Sequence, residues 1–210
     1  MITDTSIPMP IAALAFLAAL GGTALAVISG SVLLFLKKHR SAALVAAAWS
    51  ACACVYMLTI VAFSSTSQET TLAIGQEKHF CEIDCHIAQS VVSATRTDAS
   101  HLLVTVRTRF DENTIGPHRG DAPLTPNAHK VILRDTTGEH RGQPLPPASA
   151  EERDPLAPLR PGEHYLTRYL FETTSAPASA RLFIGNTGMP ERVIIGNEAS
   201  LAHKKIYFAL

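Results

Sequence analysis

Residues 101–110, "HLLVTVRTRF", alternate without a break. Leu102, Val104, Val106, Thr108 and Phe110 fall on one side, and Leu103, Thr105, Arg107 and Arg109 on the other. A period of two sends successive side chains to opposite faces of an extended chain, so the pattern predicts a half-buried strand. The same reading extends outward to "TLAIG" (71–75) and "IAQSVVSAT" (87–95) upstream. Downstream it takes in "KVILRD" (130–135) before a turn at Gly138, "HYLTRYLFE" (164–172), "ARLFIGN" (180–186), "RVIIGN" (192–197) and "KKIYFAL" (204–210). Short strands joined by Gly/Pro turns, with no convincing helix among them, predict an all-β antiparallel sandwich of the immunoglobulin-like kind over residues 76–210.

The chain before this region has a different character. Residues 11–36 and 42–63 carry no charge, and each run exceeds the roughly 20 residues that a bilayer crossing needs. The only dense basic cluster, "KKHRS" (37–41), lies between them. The two runs therefore predict a transmembrane hairpin. Basic loops stay cytoplasmic, which places the N-terminus (1–10) and everything after residue 63 outside the cytoplasmic membrane, with 64–75 as a tether and first strand. A cleaved signal peptide fits poorly, because the first run is too long and lacks a basic start. "WSAC", ending at Cys52, is a faint lipoprotein box inside an apolar run that continues to Phe63.

Small residues recur every fourth position at Ala18, Gly22, Ala26 and Gly30, and again at Ala43, Ala47 and Ala51. Such stripes let helices approach closely, which suits packing within the hairpin, or docking of the hairpin into a larger membrane-protein complex. Cys52 and Cys54 have no ionisable neighbour at that depth and read as inert apolar residues.

Of the 18 Lys and Arg, only Lys37, Lys38 and Arg40 precede the outer region; of the 18 Asp and Glu, only Asp4 does. The outer charges are thus balanced and scattered, without the basic stripe that nucleic acid requires. Two long loops interrupt the strands there. "DENTIGPHRGDAPLTPN" (111–127) offers Asp111, Glu112, His118, Arg119 and Asp121 as candidate binding residues. Residues 141–163 hold six prolines and read as a solvated excursion.

The run "LRPGE" before "HYLTRYLFE", then Pro177 and "ARLFIG", resembles small bacterial extracytoplasmic immunoglobulin-like domains of unassigned function. "FCEIDCH", "RFDENTI" and "PLTPN" together are similar to a group of membrane-anchored bacterial proteins without assigned activity. The resemblance implies a fold and a location only.

The stretch "KHFCEIDCH" (78–86) holds two of the four cysteines. Outside the cytoplasm, paired cysteines default to a disulfide. Residues four apart on a strand lie about 13 Å from one another, so bridging Cys81 to Cys85 requires a turn or bulge at Glu82, Ile83 and Asp84. The alternative is copper. Two thiolates and an imidazole form a soft set, with Cys81, Cys85 and His86 as ligands and His79 or His118 as a fourth. The overall plan of two spans and an outer β domain resembles subunit II of cytochrome oxidases, whose copper motif also spaces its cysteines C-x3-C. There the motif comes late in the domain and its histidine follows four residues on, whereas here it precedes the sandwich and His86 is adjacent. The copper-delivery proteins that serve that site share the cysteine spacing but have a helical, thioredoxin-like fold. Covalent haem needs C-x-x-C-H, one residue shorter than this spacing.

Eight of the nine histidines lie in the outer region without zinc-enzyme spacing. "RGD" (119–121) matches an adhesion tripeptide and equally an ordinary charged turn. No nucleophile elbow, phosphate loop or dinucleotide fingerprint is present. The sequence therefore predicts a membrane-anchored extracytoplasmic binding or assembly module without catalytic activity. A copper-binding protein serving respiratory enzyme assembly is the alternative.

Overall fold

The structure is a computed structural model that describes residues 1–210 except 82–84, 117, 187 and 189. A two-residue strand, β1 (Ile2–Thr3), opens the chain. Two long helices follow, α1 (Met9–Phe35) and α2 (His39–Thr66). Both are long and apolar enough to cross a membrane. Pro8 immediately precedes α1, with another proline in its first turn, where the missing N–H costs nothing. Lys37, with φ 55°, makes the turn between the helices. Gly22 lies under Trp49 of α2, so close that a Cβ there would stand 2.6 Å from the indole ring. Along the rest of both helices most large apolar side chains face outward, including Leu14, Leu17, Leu25 and Val32.

The remaining strands are β2 (Thr70–Leu72), β3 (Lys78–Phe80), β4 (Ile87–Arg96), β5 (His101–Phe110), β6 (Lys130–Arg134), β7 (Glu139–Arg141), β8 (Gln143–Pro144), β9 (His164–Glu172), β10 (Arg181–Gly185) and β11 (Ile206–Ala209). They form two sheets, ordered β1-β3-β4-β5-β9-β8 and β2-β11-β10-β6-β7. Between them Val91, Leu102, Val104, Val106, Leu133, Phe171, Leu182 and Phe208 make the core. In β5 every second residue is buried, with Leu102 and Phe110 among those fully so. The strand β4 would lose this alignment halfway, since its apolar positions Val91 and Ala94 differ by an odd number. A bulge between Val91 and Ser93 absorbs one residue and leaves Val92 exposed, so both Val91 and Ala94 reach the core.

The sandwich departs from the all-antiparallel expectation at two edges. β1 pairs with β3 in parallel, and β2 pairs with β11 in parallel. Parallel neighbours need a long crossover. The helical hairpin supplies one between β1 and β3, and the body of the sandwich supplies the other.

"RVIIGN" is likewise not a strand. A 3-10 helix (Pro190–Val193) leads into tight turns, with Gly196 at φ 73°. Alternation fails there because Ile194 and Ile195 are both buried, Ile194 against Met9 and Ala12 of α1. A Cβ at residue 196 would lie 2.7 Å from the Ser6 hydroxyl, so glycine lets the N-terminal segment pass. The turn expected at residues 82–84 lies outside the described residues.

Candidate functional site

The hairpin and the sandwich are joined from both sides. On the α1 side, residues 2–4 lie along β3, and Thr5 and Ser6 lie against Gly196 and Asn197. Asp4 N–H donates to the His79 carbonyl (3.1 Å) and Ser6 N–H to the Gly196 carbonyl (2.8 Å), while the Asp4 carbonyl accepts from Glu198 N–H (2.8 Å). On the α2 side, the Tyr56 hydroxyl donates to the Val193 carbonyl (2.7 Å), the Ser64 and Ser200 hydroxyls meet at 3.4 Å, and Lys204 N–H donates to Ser67 Oγ (2.9 Å). One loop, residues 186–205, receives nearly all of these bonds.

That loop also carries a charge into the core. Lys78 is fully buried; its Nζ donates to Glu198 Oε2 (2.5 Å) and to the Ile184 carbonyl (2.7 Å), and lies 4.9 Å and 5.2 Å from the ring centres of Phe80 and Phe183. The other oxygen of Glu198 accepts the Ile206 N–H (2.5 Å), which starts β11. The pair therefore links β3 of one sheet to β10 and β11 of the other. Removing one member of such a pair costs about 3–5 kcal/mol, because its partner is left charged and dry.

Asp4 is buried beside this pair, and its Oδ1 accepts Cys81 N–H (2.9 Å). Burial pushes its carboxyl up to about 7, against the opposing pull of that bond and of Lys78. His129 stacks on Phe80 at 4.0 Å; both its ring nitrogens are buried without a partner. Burial and then Lys78 lower it to about 4.

Cys81 and Cys85 form a disulfide with their Cα atoms 4.1 Å apart. It packs on Met9, Ala12 and Phe16 of α1 and on Ile194. The two sulfurs are bonded to one another, so this oxidised pair presents no thiolate to a metal. The other candidate ligands are spread out. His79 Nε2 meets Asp111 Oδ2 at 3.0 Å. His86 Nδ1 meets Thr114 Oγ1 at 2.7 Å, with its ring stacked on Phe110, and His118 is exposed on its loop. Among the described residues, no group of three or more His, Cys, Asp or Glu side chains is placed to hold a metal ion.

The loop candidates divide. Asp111 is buried in a network: burial raises its carboxyl, but bonds from His79, the Asn113 N–H and Arg109 outweigh that and hold it well below the usual range. Arg109 also forks onto Glu77, at 2.9 and 2.7 Å, and reaches Glu112 at 3.4 Å. The bond from Arg109 keeps the Glu77 carboxyl low despite partial burial. Arg119 lies 5.1 Å from the Phe110 ring, and Asp121 pairs with Arg160 across the second loop at 2.9 Å. These contacts tie the loop to β3, β5 and the second loop, while His118 stays exposed. In the hairpin, Gly22, Ala26 and Gly30 are half-buried and Ala18 is exposed, while Ala43, Ala47 and Ala51 all face away from α1.

In the sequence Asp4 stands out only as a lone acid ahead of the hairpin, and nothing singles out Lys78 or Glu198. The signal was slight: a lysine inside "KHF", with its partner 120 residues away.

A second feature lies on the outer face of the sheet containing β6, β10 and β11. A cavity of about 440 Å³ is floored by Ile132, Phe183 and Tyr207 and overhung by Arg192, His203, Lys204 and Lys205 of the same loop.

No family model matches this chain, and no curated protein does. Among solved structures it is similar to MPT63, a secreted protein of Mycobacterium tuberculosis (13% identity, 70% of this chain and 100% of that one, TM-score 0.41). It is similar also to the yjhA protein of Bacillus subtilis (13%, 67% and 99%, 0.39). A third is an uncharacterized beta-sandwich protein of Clostridium difficile 630 (6%, 69% and 95%, 0.39). The overlaps are loose, and the fold described above rests on the strands and their pairing.

Proposed function

We propose that this chain is a two-pass protein of the cytoplasmic membrane whose outer domain is an extracytoplasmic binding or assembly module, immunoglobulin-like in its packing of two sheets of short strands. The observation that carries the reading is the double attachment of hairpin to sandwich. Because β1 and β2 both belong to the sandwich, the outer ends of α1 and α2 lie on its side, and Lys37, Lys38 and Arg40 lie at the opposite end of the hairpin. With the basic turn held in the cytoplasm, the sandwich is outside. The disulfide suits that oxidising side. A loop that bonds to α2 and to the segment ahead of α1, packs Ile194 on α1 and bridges both sheets makes anchor and module one rigid body. An assembly factor needs that rigidity to hold a partner at a fixed height above the bilayer.

The test is a reporter active only outside the cytoplasm. Fused after Leu210 it is active, and fused after Arg40 it is silent; the reverse pattern would put the sandwich and its disulfide in the cytoplasm and end the reading. Neutralising Lys37, Lys38 and Arg40 together yields mixed orientation.

A further inference from the structure

The loop 186–205 has a wet side and a dry side that meet at one peptide bond. Arg192 lines the basic cavity on the outer face of the sheet, and Val193 lines a groove of similar volume between α1 and α2. The charge in the cavity is not balanced from within. Its two carboxylates are already engaged, Glu69 by Arg181 and Glu139 by Arg134. Arg192 and Lys204 have no ion pair among the described residues, and Lys205 Nζ is bonded only to the Glu198 backbone carbonyl. Arg192 is held opposite the lysines by the Leu201 N–H bond to its carbonyl (3.2 Å), so the cations are fixed on a closed loop.

The groove is apolar, lined on α1 by residues from Ala15 to Thr23, about 12 Å of helix, and on α2 by Trp49, Ala53 and Met57. Its upper end is set by the Tyr56 bond to Val193. Tyr56 lies roughly 10 Å down the helix from Phe63, where the apolar run of α2 ends, so the Val193 side of the loop descends below the headgroups to the upper part of the acyl chains. Exposed Leu201 on the same loop suits that depth. A cationic cavity and an apolar groove meeting at this level complement a molecule with an anionic head and a hydrocarbon tail.

We infer that the junction binds one anionic phospholipid, its phosphate among Arg192, Lys204 and Lys205 and one acyl chain in the groove between α1 and α2. This rests on the reading of the hairpin as a membrane anchor. The bound lipid adds a third fastening between hairpin and sandwich and favours insertion where anionic lipid is present.

The test uses the full chain in nanodiscs of phosphatidylcholine with phosphatidylglycerol, followed by native mass spectrometry of the lipid retained in detergent. Wild type keeps one phosphatidylglycerol over phosphatidylcholine by roughly tenfold or more, since each cation near a lipid phosphate is worth about a factor of five. The Arg192→Ala/Lys204→Ala double variant loses the preference, and Ala18→Trp, which fills the groove from its exposed side, lowers retention. Both variants melt like wild type in lipid-free detergent. Retention unchanged in either variant overturns the inference. So does a melting-temperature rise from inorganic phosphate or glycerol 1-phosphate equal to that from phosphatidylglycerol, which would make the ligand a soluble anion. A chain that stays outside the nanodisc contradicts the anchored reading as well; one that enters without lipid preference contradicts only this inference.

Discussion

The loops 111–127 and 186–205 differ in almost every respect that matters to the molecule. The first is rich in proline and charge, and its exposed half, His118 to Asp121, is held by the Arg119 contact with Phe110 and the exposed Asp121–Arg160 pair. The second reads as an ordinary strand with a turn, yet it holds the partner of the only fully buried lysine described, bonds to α2 and to the segment ahead of α1, and walls the basic cavity. The difference teaches that conspicuous composition marks where the chain meets water. The connections that define this fold form where the chain returns to the helical hairpin, between segments far apart in sequence.

The comparison is most easily broken at Lys78. Replacing Glu198 by Gln strands the ammonium and should cost about 3–5 kcal/mol in denaturant unfolding of the full chain. Adding Lys78→Met should recover most of that loss, since Gln still accepts the Ile206 N–H. A double variant as unstable as the single would mean that the pair is not the link between the sheets.

Asp4 gives the next largest effect, with a definite pH sign. Its folded pKa, about 7, lies above the ordinary value of 3.8, so the folded state binds the proton more tightly. Its contribution therefore favours folding at low pH and is lost as pH rises from about 4 through 7. Asp4→Asn, which can still accept the Cys81 N–H, should flatten this slope and leave the variant more stable than wild type at pH 8, by roughly 1–3 kcal/mol. Equal slopes in both proteins would exclude a buried, protonated Asp4.

A smaller change is expected at the disulfide. Replacing Cys81 and Cys85 by Ser removes a very short closed loop, worth about 2 kcal/mol in the chain-entropy model. The denatured, unreduced wild-type chain should titrate two thiols, from Cys52 and Cys54. Four thiols, with uptake of one Cu(I) that is lost in His86→Ala, would favour the copper alternative over the staple. The smallest effect belongs to the first loop, where Arg160→Ala should leave the melting temperature unchanged within error, because the exposed pair with Asp121 is screened by water.

Much of the architecture was legible wherever the pattern is local. The alternation of 101–110 is the β5 burial pattern residue by residue, and the uncharged runs are the two helices. What escaped depends on distance. β1 is two residues long, too short for any period, and its partner β3 lies beyond the hairpin. Lys78 reads as a solvent residue until Glu198 is brought to it. Ile194 and Ile195 imitate a strand because two buried residues in succession look the same whether they face a sheet or a helix. Cys81, Cys85 and His86 are neighbours in sequence, and the fold joins the two cysteines to one another and sets His86 against Thr114.

The claim that hairpin and sandwich are one body is tested most directly by amide hydrogen exchange of the full chain in nanodiscs, read at Asp4 and Ser6. If β1 is fastened as described, these two amides should be protected to the same degree as that of Phe208 in the core of β11, although they lie within six residues of the N-terminus. Exchange at the rate of an unstructured terminus, with Phe208 still protected, would mean that the hairpin hangs from the sandwich by α2 alone, and would contradict the account.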